Sequence, residues 1–136
     1  MKLVIFGSRK FNDYDFLKQK VEETLLLGNF EVTLLVSGTC GGADLLGERW
    51  AKRIGVPIQK FPAKWDDLKT ENALIKTNSY GKLYNARAGF DRNIQMAEFA
   101  DFGIGFTVGN SPGTNHMAEQ LRLKGKTVYL FEYGQN

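Results

Sequence analysis

The sequence predicts an α/β, doubly wound domain of about five mainly parallel strands with helices on both faces. Three observations carry this. Short apolar runs alternate with helical patterns along the whole chain. The runs are near-continuous in Val, Ile, Leu and Phe, as in strands buried on both faces. Gly- and Ser-rich stretches gather after the strands, whereas the helices end on plain stop signals. The 136 residues, 43% apolar and 24% charged, suit one soluble domain with one core, residues 1–136.

Lys2–Phe6 (KLVIF) is the first predicted strand and ends in Gly7-Ser8-Arg9. Asn12 or Asp13 caps a helix with Tyr14, Leu17, Val21 and Leu25 at helical spacing, closed by Gly28. Val32–Val36 is the second strand. Its glycine loop leads into a helix from Ala43 to Ile54, with Leu46, Trp50, Ala51 and Ile54 inward and Gly55 as its stop. Pro57–Phe61 is the third strand. The polar stretch from Ala63 to Asn85 is too long for a plain connection, so it is a candidate lid or insertion with its own small element, weighed equally against a solvated excursion. A helix from Ala86 to Ala100 places Phe90, Ile94, Ala97 and Phe99 inward. Phe102–Thr107 is the fourth strand. Ser111 and Pro112 start a helix that Gly125 ends, and Thr127–Phe131 is the fifth strand. The alternation implies right-handed crossovers, and the strand order expected for such a sheet is 3-2-1-4-5.

Several classes are set aside. No apolar run is long enough to cross a bilayer, and the N-terminus lacks a cleavage site, so no membrane partner and a cytoplasmic location are expected. One Cys and one His assemble neither a disulfide framework nor a metal site, and no cofactor is required. The net charge of +3 is spread along the chain, which fits a small anion better than a duplex. A homodimer is the commonest assembly for a small protein of this sort.

In a doubly wound sheet, ligands sit outside the carboxyl ends of the strands, at the switch in strand order. The sequence puts Gly7, Ser8 and Arg9 there, then Ser37, Gly38, Cys40, Gly41, Gly42 and Asp44, then Trp65, then Gly109, Ser111, Gly113 and Thr114. A glycine loop that opens a helix exposes free N–H groups and the positive end of the helix dipole, which suits phosphate. Arg9 supplies a forked donor, and Ser37, Ser111 and Thr114 supply hydroxyls. Each residue also has a plainer reading. The loop is equally a tight turn, since it matches neither common glycine fingerprint. Asp44 reads first as a helix-capping carboxylate and second as a ribose contact. Ser111 and Thr114 read as caps, Arg92 and Asn93 as surface residues, Trp50 as core, and Cys40 as a small buried residue. Trp65 is the candidate to stack on a base. His116 reads as structural or exposed ahead of general base, and Asp44, Glu119, Asp91 and His116 are the acid–base candidates, none with a demonstrable activating partner.

GSRKFND, VSGTCGGADLLGERWA, FPAKW, AGFDRNIQMAEFAD and SPGTNHMAEQ, in that order and spacing, resemble the SLOG superfamily, and within it the YspA-like, YpsA-related proteins. The resemblance implies a Rossmann-like fold and binding of a nucleotide or nucleotide-derived ligand. It implies that Gly7, Ser8, Arg9, Ser37, Gly38, Gly41, Gly42, Asp44, Arg92, Asn93, Gly113 and Thr114 stand in the ligand loops. More distant relatives are the LOG phosphoribohydrolases and the DNA-processing protein DprA. The hydrolases carry P-G-G-x-G-T-x-x-E with a catalytic Glu; here that place is Met117, and Glu119 comes two residues later. The leading expectation is therefore a sensor or sequestering protein for a nucleotide. A nucleotide-processing hydrolase and a DprA-like single-stranded nucleic-acid module are the alternatives.

Overall fold

Lys2–Gly7 (β1) is the middle strand of a five-stranded sheet in the computed structural model, which describes residues 1–70 and 73–134. Along the chain follow Tyr14–Gly28 (α1), Leu34–Ser37 (β2), Ala43–Ile54 (α2), Ile58–Lys60 (β3), Ile75–Thr77 (β4), Leu83–Asn85 (β5), Ala88–Phe99 (α3), Phe102–Thr107 (β6), Pro112–Leu123 (α4) and Thr127–Glu132 (β7). The sheet runs β3-β2-β1-β6-β7 with every neighbouring pair parallel. This is the predicted order once β4 and β5, which form a separate antiparallel hairpin, are left out of the count. The fold is a Rossmann-like α/β layer structure.

Alternation along β1 builds two cores, because successive side chains point to opposite faces. Leu3 and Ile5 pack with Tyr14, Leu17 and Val21 of α1 and with Trp50 and Ala51 of α2. Val4 and Phe6 pack with Met96 and Ala97 of α3 and with Met117 and Leu121 of α4. Each fully buried Val, Leu, Ile, Phe or Met among them contributes about 1.5–3 kcal/mol of burial free energy. No helix among the described residues is long and apolar enough to cross a membrane.

Several local expectations change. Asp13, not Asn12, caps α1, its carboxylate accepting from Phe16 N at 3.0 Å. The left-handed residue that ends α1 is Asn29 (φ 52°), with Gly28 the last helical residue. In α2, Ile54 is half exposed, and the inner face carries Asp44, Gly47 and Glu48 beside Ala43, Trp50 and Ala51. In α3, Phe90 is exposed, and the inward residues are Ala88, Arg92, Asn93, Met96 and Ala97. That helix starts at Ala88 because the residues before it serve the hairpin: Ala86 N donates to Leu74 O and Arg87 N to Asn85 Oδ1.

The stretch from Ala63 to Asn85 does carry its own element. Strands β4 and β5 pair Ile75 with Asn85, Lys76 with Tyr84 and Thr77 with Leu83. Asn78 shapes the turn, its Oδ1 accepting from Tyr80 N and Lys82 N. Buried Asn85 ties the hairpin down, donating from its backbone to Trp65 O and accepting from Leu74 N. Residues 71 and 72 of this stretch lie outside the described residues.

Candidate functional site

Because β1 lies between β2 and β6, the switch in strand order falls at its carboxyl end, and a cavity of about 830 Å³ opens there. That volume lies in the range of small-molecule sites. Gly7 and Arg9 come to it from the end of β1, Cys40 and Asp44 from the β2–α2 junction, and Trp65 and Asp66 from the segment after β3. Asn78, Lys82 and Tyr84 come from the hairpin, Arg92, Asn93 and Met96 from α3, and Ser111, Gly113, Thr114 and Met117 from the start of α4.

The glycine loop forms the wall behind this cavity. Gly42 has φ 70°, and a Cβ there would stand 2.2 Å from Ser8 O. A Cβ on Gly7 would stand 2.0 Å from Phe106 O. These glycines let three backbone segments meet. The hydroxyls nearby are already used. Ser8 Oγ accepts from Val108 N at 2.9 Å, and Ser8 O accepts from Ala43 N at 3.3 Å. Ser37 Oγ donates to Glu48 Oε2 at 2.6 Å and accepts from Thr39 N at 3.1 Å. Ser8, Ser37, Gly38, Gly41 and Gly42 thus stand outside the cavity lining, whereas Gly7, Arg9, Asp44, Trp65, Arg92, Asn93, Ser111, Gly113 and Thr114 are brought together in it.

Arg92 is buried rather than a surface residue, with 8% of its area exposed. Its Nε donates to Asn93 Oδ1 at 3.1 Å, and its Nη1 donates to Gly38 O and to Phe61 O. Its Nη2 lies 3.4 Å from Cys40 Sγ, and Arg9 Nη2 lies 3.8 Å from the same sulfur, which is half-buried. Among the described residues no carboxylate oxygen lies within 4.0 Å of either guanidinium. A Cβ on Gly38 would collide with Arg92 Nη1 and Asp44 Oδ2, so glycine here makes room for both side chains. Asn93 is buried as well, and its Nδ2 reaches Gly113 O and His116 Nδ1, both at 3.3 Å.

Asp44 does not cap the first turn of α2. Its Oδ2 accepts instead from Cys40 N in the loop ahead, at 3.2 Å. Burial pushes its carboxyl up to about 7, against the lowering pull of Arg92, the Cys40 N–H and Arg9, while Glu48 adds to the rise. Ser111 makes no side-chain cap either; its hydroxyl and that of Thr114 lie 2.6 Å apart. His116 and Glu119 stand outside the cavity lining. Burial pushes the imidazole down, opposed by Glu119 and Asp91, and its ring rests on Phe90 with centroids 4.4 Å apart. Met117, in the place of the hydrolases' Glu, does line the cavity.

Trp65 presents its ring to Arg9, whose guanidinium carbon lies 5.9 Å from the centroid, and to Tyr84 at 6.3 Å. Gly89 admits the indole edge, since a Cβ there would come within 2.9 Å of it. Glu48 and Asp66 escaped the sequence pattern, whereas Lys82 belongs to the basic character read in the candidate lid. The signal for Glu48 was its place four residues after Asp44, on one helix face; it holds Ser37 and pairs with Lys60 at 3.7 Å. Among the described residues no group of three or more His, Cys, Asp or Glu side chains could hold a metal ion.

Residues 1–67 match the family model YAcAr, described as the YspA, cpYpsA-related SLOG family. Nothing matched among curated proteins. Among solved structures, DNA processing protein A (DprA) from Streptococcus pneumoniae is similar with a TM-score of 0.49 and 15% identity. The match covers 93% of this chain and 57% of that one.

Proposed function

We propose that this chain, which over residues 1–67 belongs to the YspA, cpYpsA-related SLOG family, binds a phosphate-bearing nucleotide or nucleotide derivative in the cavity. The observation that carries the reading is Arg92, a buried guanidinium at the cavity wall with no carboxylate within ion-pair distance among the described residues. A buried charge without a counter-ion is costly, and an anionic ligand supplies one. Arg9, Ser111 and Thr114 line the same space and offer further donors to phosphate oxygens. Trp65 and Tyr84 offer aromatic faces for a base. Binding without turnover is favoured because apolar Met117 occupies the position where the hydrolases carry their Glu.

The test is a thermal-shift screen with AMP, ADP, ATP, GTP, NAD, ADP-ribose, cyclic nucleotides and single-stranded DNA. A ligand that binds only the folded state raises the melting temperature by mass action. One nucleotide class is expected to raise it. Arg9→Ala is expected to reduce that shift while the unliganded protein melts within a few degrees of the wild type. No shift with any nucleotide at saturating concentration defeats the reading. A response to DNA alone that collapses with salt transfers it to nucleic acid.

A further inference from the structure

We propose that Asp44 acts in this site as a hydrogen-bond donor, its neutral carboxyl sharing a proton with an oxygen of the bound phosphate, so that the ligand binds together with a proton from solvent. The inference rests on the phosphate reading of the cavity.

The geometry argues for it. Asp44 lines the cavity on the same wall as Arg92 and Arg9. Its Oδ2 is held by Cys40 N, and among the described residues Oδ1 has no hydrogen-bond partner. The two guanidiniums draw an anion to this wall, where its oxygens meet an acid oxygen. Two oxygen anions in contact repel; with one proton between them the contact becomes a short, charge-assisted hydrogen bond. The charged groups around Asp44 are Arg92 from α3, Arg9 from the loop after β1 and Glu48 one turn further along α2. Burial raises the carboxyl to about 7 in the empty site, so near pH 7 about half of the molecules already carry the proton. No covalent bond breaks: the carboxylate takes H⁺ from solvent and the phosphate oxygen accepts it as a hydrogen bond. The rival role, a carboxylate accepting from a ribose hydroxyl, needs no proton and has the opposite pH signature.

The sign follows from linkage. A bound anion raises the Asp44 pKa further, so the complex holds a proton that the free protein has mostly lost above its own value of about 7. Affinity then falls as pH rises from 7 toward the pKa of the complex, by up to about tenfold per unit.

Calorimetric titration with AMP at about pH 8, above the range near pH 6 where a phosphate monoester itself titrates, measures the effect. Run in two buffers of different ionisation enthalpy, it is expected to show net uptake approaching one proton per AMP. Asp44→Asn is expected to bind AMP without uptake and with a flat pH profile. Arg9→Ala is expected to bind more weakly and keep the uptake. Wild-type binding without uptake, or an Asp44→Asn profile that follows the wild type, overturns the proposal and leaves the phosphate reading standing. Failure of AMP and every other nucleotide to bind defeats both. A carbon NMR titration of the Asp44 carboxyl in the empty protein gives a readout free of ligand: titration in the ordinary carboxylate range, near 4, overturns the donor role by itself.

Discussion

The starts of α2 and α4 carry the same signature, glycines and hydroxyl residues at a strand-to-helix junction beside one crevice, yet they are put to different uses. At α2 the chain consumes its own donors and acceptors. Ala43 N bonds Ser8 O, Cys40 N bonds Asp44, and Ser37 is locked between Thr39 N and Glu48. At α4, Ser111, Gly113 and Thr114 all line the cavity, and a Cβ on Gly113 would meet nothing within 4 Å. What separates them is the loop after β1, whose Ser8 and Arg9 carbonyls press on Gly42 at the first junction. At the second it reaches only Val108 and leaves Ser111, Gly113 and Thr114 in the cavity lining. A glycine-rich helix start is an anion site only where no neighbouring backbone has reached it first.

The sharpest way to break this comparison is Gly42→Ala. A methyl group at φ 70°, 2.2 Å from Ser8 O, has to move two backbone segments apart. The expected loss is roughly 3–5 kcal/mol, strain and overpacking together, measured by urea unfolding. A loss below about 1 kcal/mol would mean that the junction at α2 is far looser than the contacts around Ser8 imply.

Next in size is the pH dependence that Asp44 confers on stability. Its folded value of about 7 lies above the ordinary 3.8. Between those values the folded protein keeps a proton that the unfolded chain gives up. Stability from this group is therefore fully present below about pH 3.8, falls as pH rises, and levels off above 7. The total loss is on the order of 4 kcal/mol. Asp44→Asn is expected to remove this slope and to be the more stable protein at about pH 8, as read from unfolding curves at several pH values. Equal slopes in the two proteins would assign the titration elsewhere.

Both expectations lean on residues whose place was only partly legible in the sequence. The five strands followed from continuous apolar runs, which sheet burial demands, bounded by glycine-rich turns and alternating with helical patterns. The faces of α2 and α3 did not follow. Helical periodicity assigns apolar residues inward, and that holds where a helix covers the sheet, as at Met96, Ala97, Trp50 and Ala51. Nearer the carboxyl ends of the strands the same helices also bury polar side chains, and the rule weakens. Arg92 and Asn93 are buried while Phe90 lines the cavity and stays exposed, and Asp44 and Glu48 are buried. The loop hydroxyls were legible as polar groups near a site, but not their partners. Ser37 finds Glu48 eleven residues away, and Ser8 finds Val108 a hundred away. The hairpin was legible only as a polar stretch with an element of its own, because strands of three residues leave too short a pattern to read.

A smaller effect tests the locked junction through its hydroxyl. Ser37→Ala removes a donor to buried Glu48 and the acceptor for Thr39 N, whose residue holds a left-handed φ of 61°. Glu48 keeps Lys60, so the expected cost is about 2 kcal/mol by urea unfolding. The outcome that would contradict this is an unchanged midpoint, which would make the Ser37–Glu48 pair incidental.

Gly113→Ala is the counterpart at the open junction and has the smallest effect on folding. Nothing stands near the added methyl, and alanine is the better helix former, so stability is expected to change by at most about 0.5–1 kcal/mol, in the favourable direction. Binding is expected to move the other way. Gly113 lines the cavity beside Ser111 and Thr114, so the methyl intrudes on the space assigned to phosphate and weakens nucleotide affinity several-fold in the calorimetric titration. The pair of glycine variants thus separates two jobs that look identical in sequence. Gly42 is needed by the fold whether or not a ligand exists, whereas Gly113 is dispensable to the fold and matters only if something binds. A Gly113→Ala protein that binds nucleotide as well as the wild type would move the phosphate away from α4 and toward Arg9 and Arg92 alone.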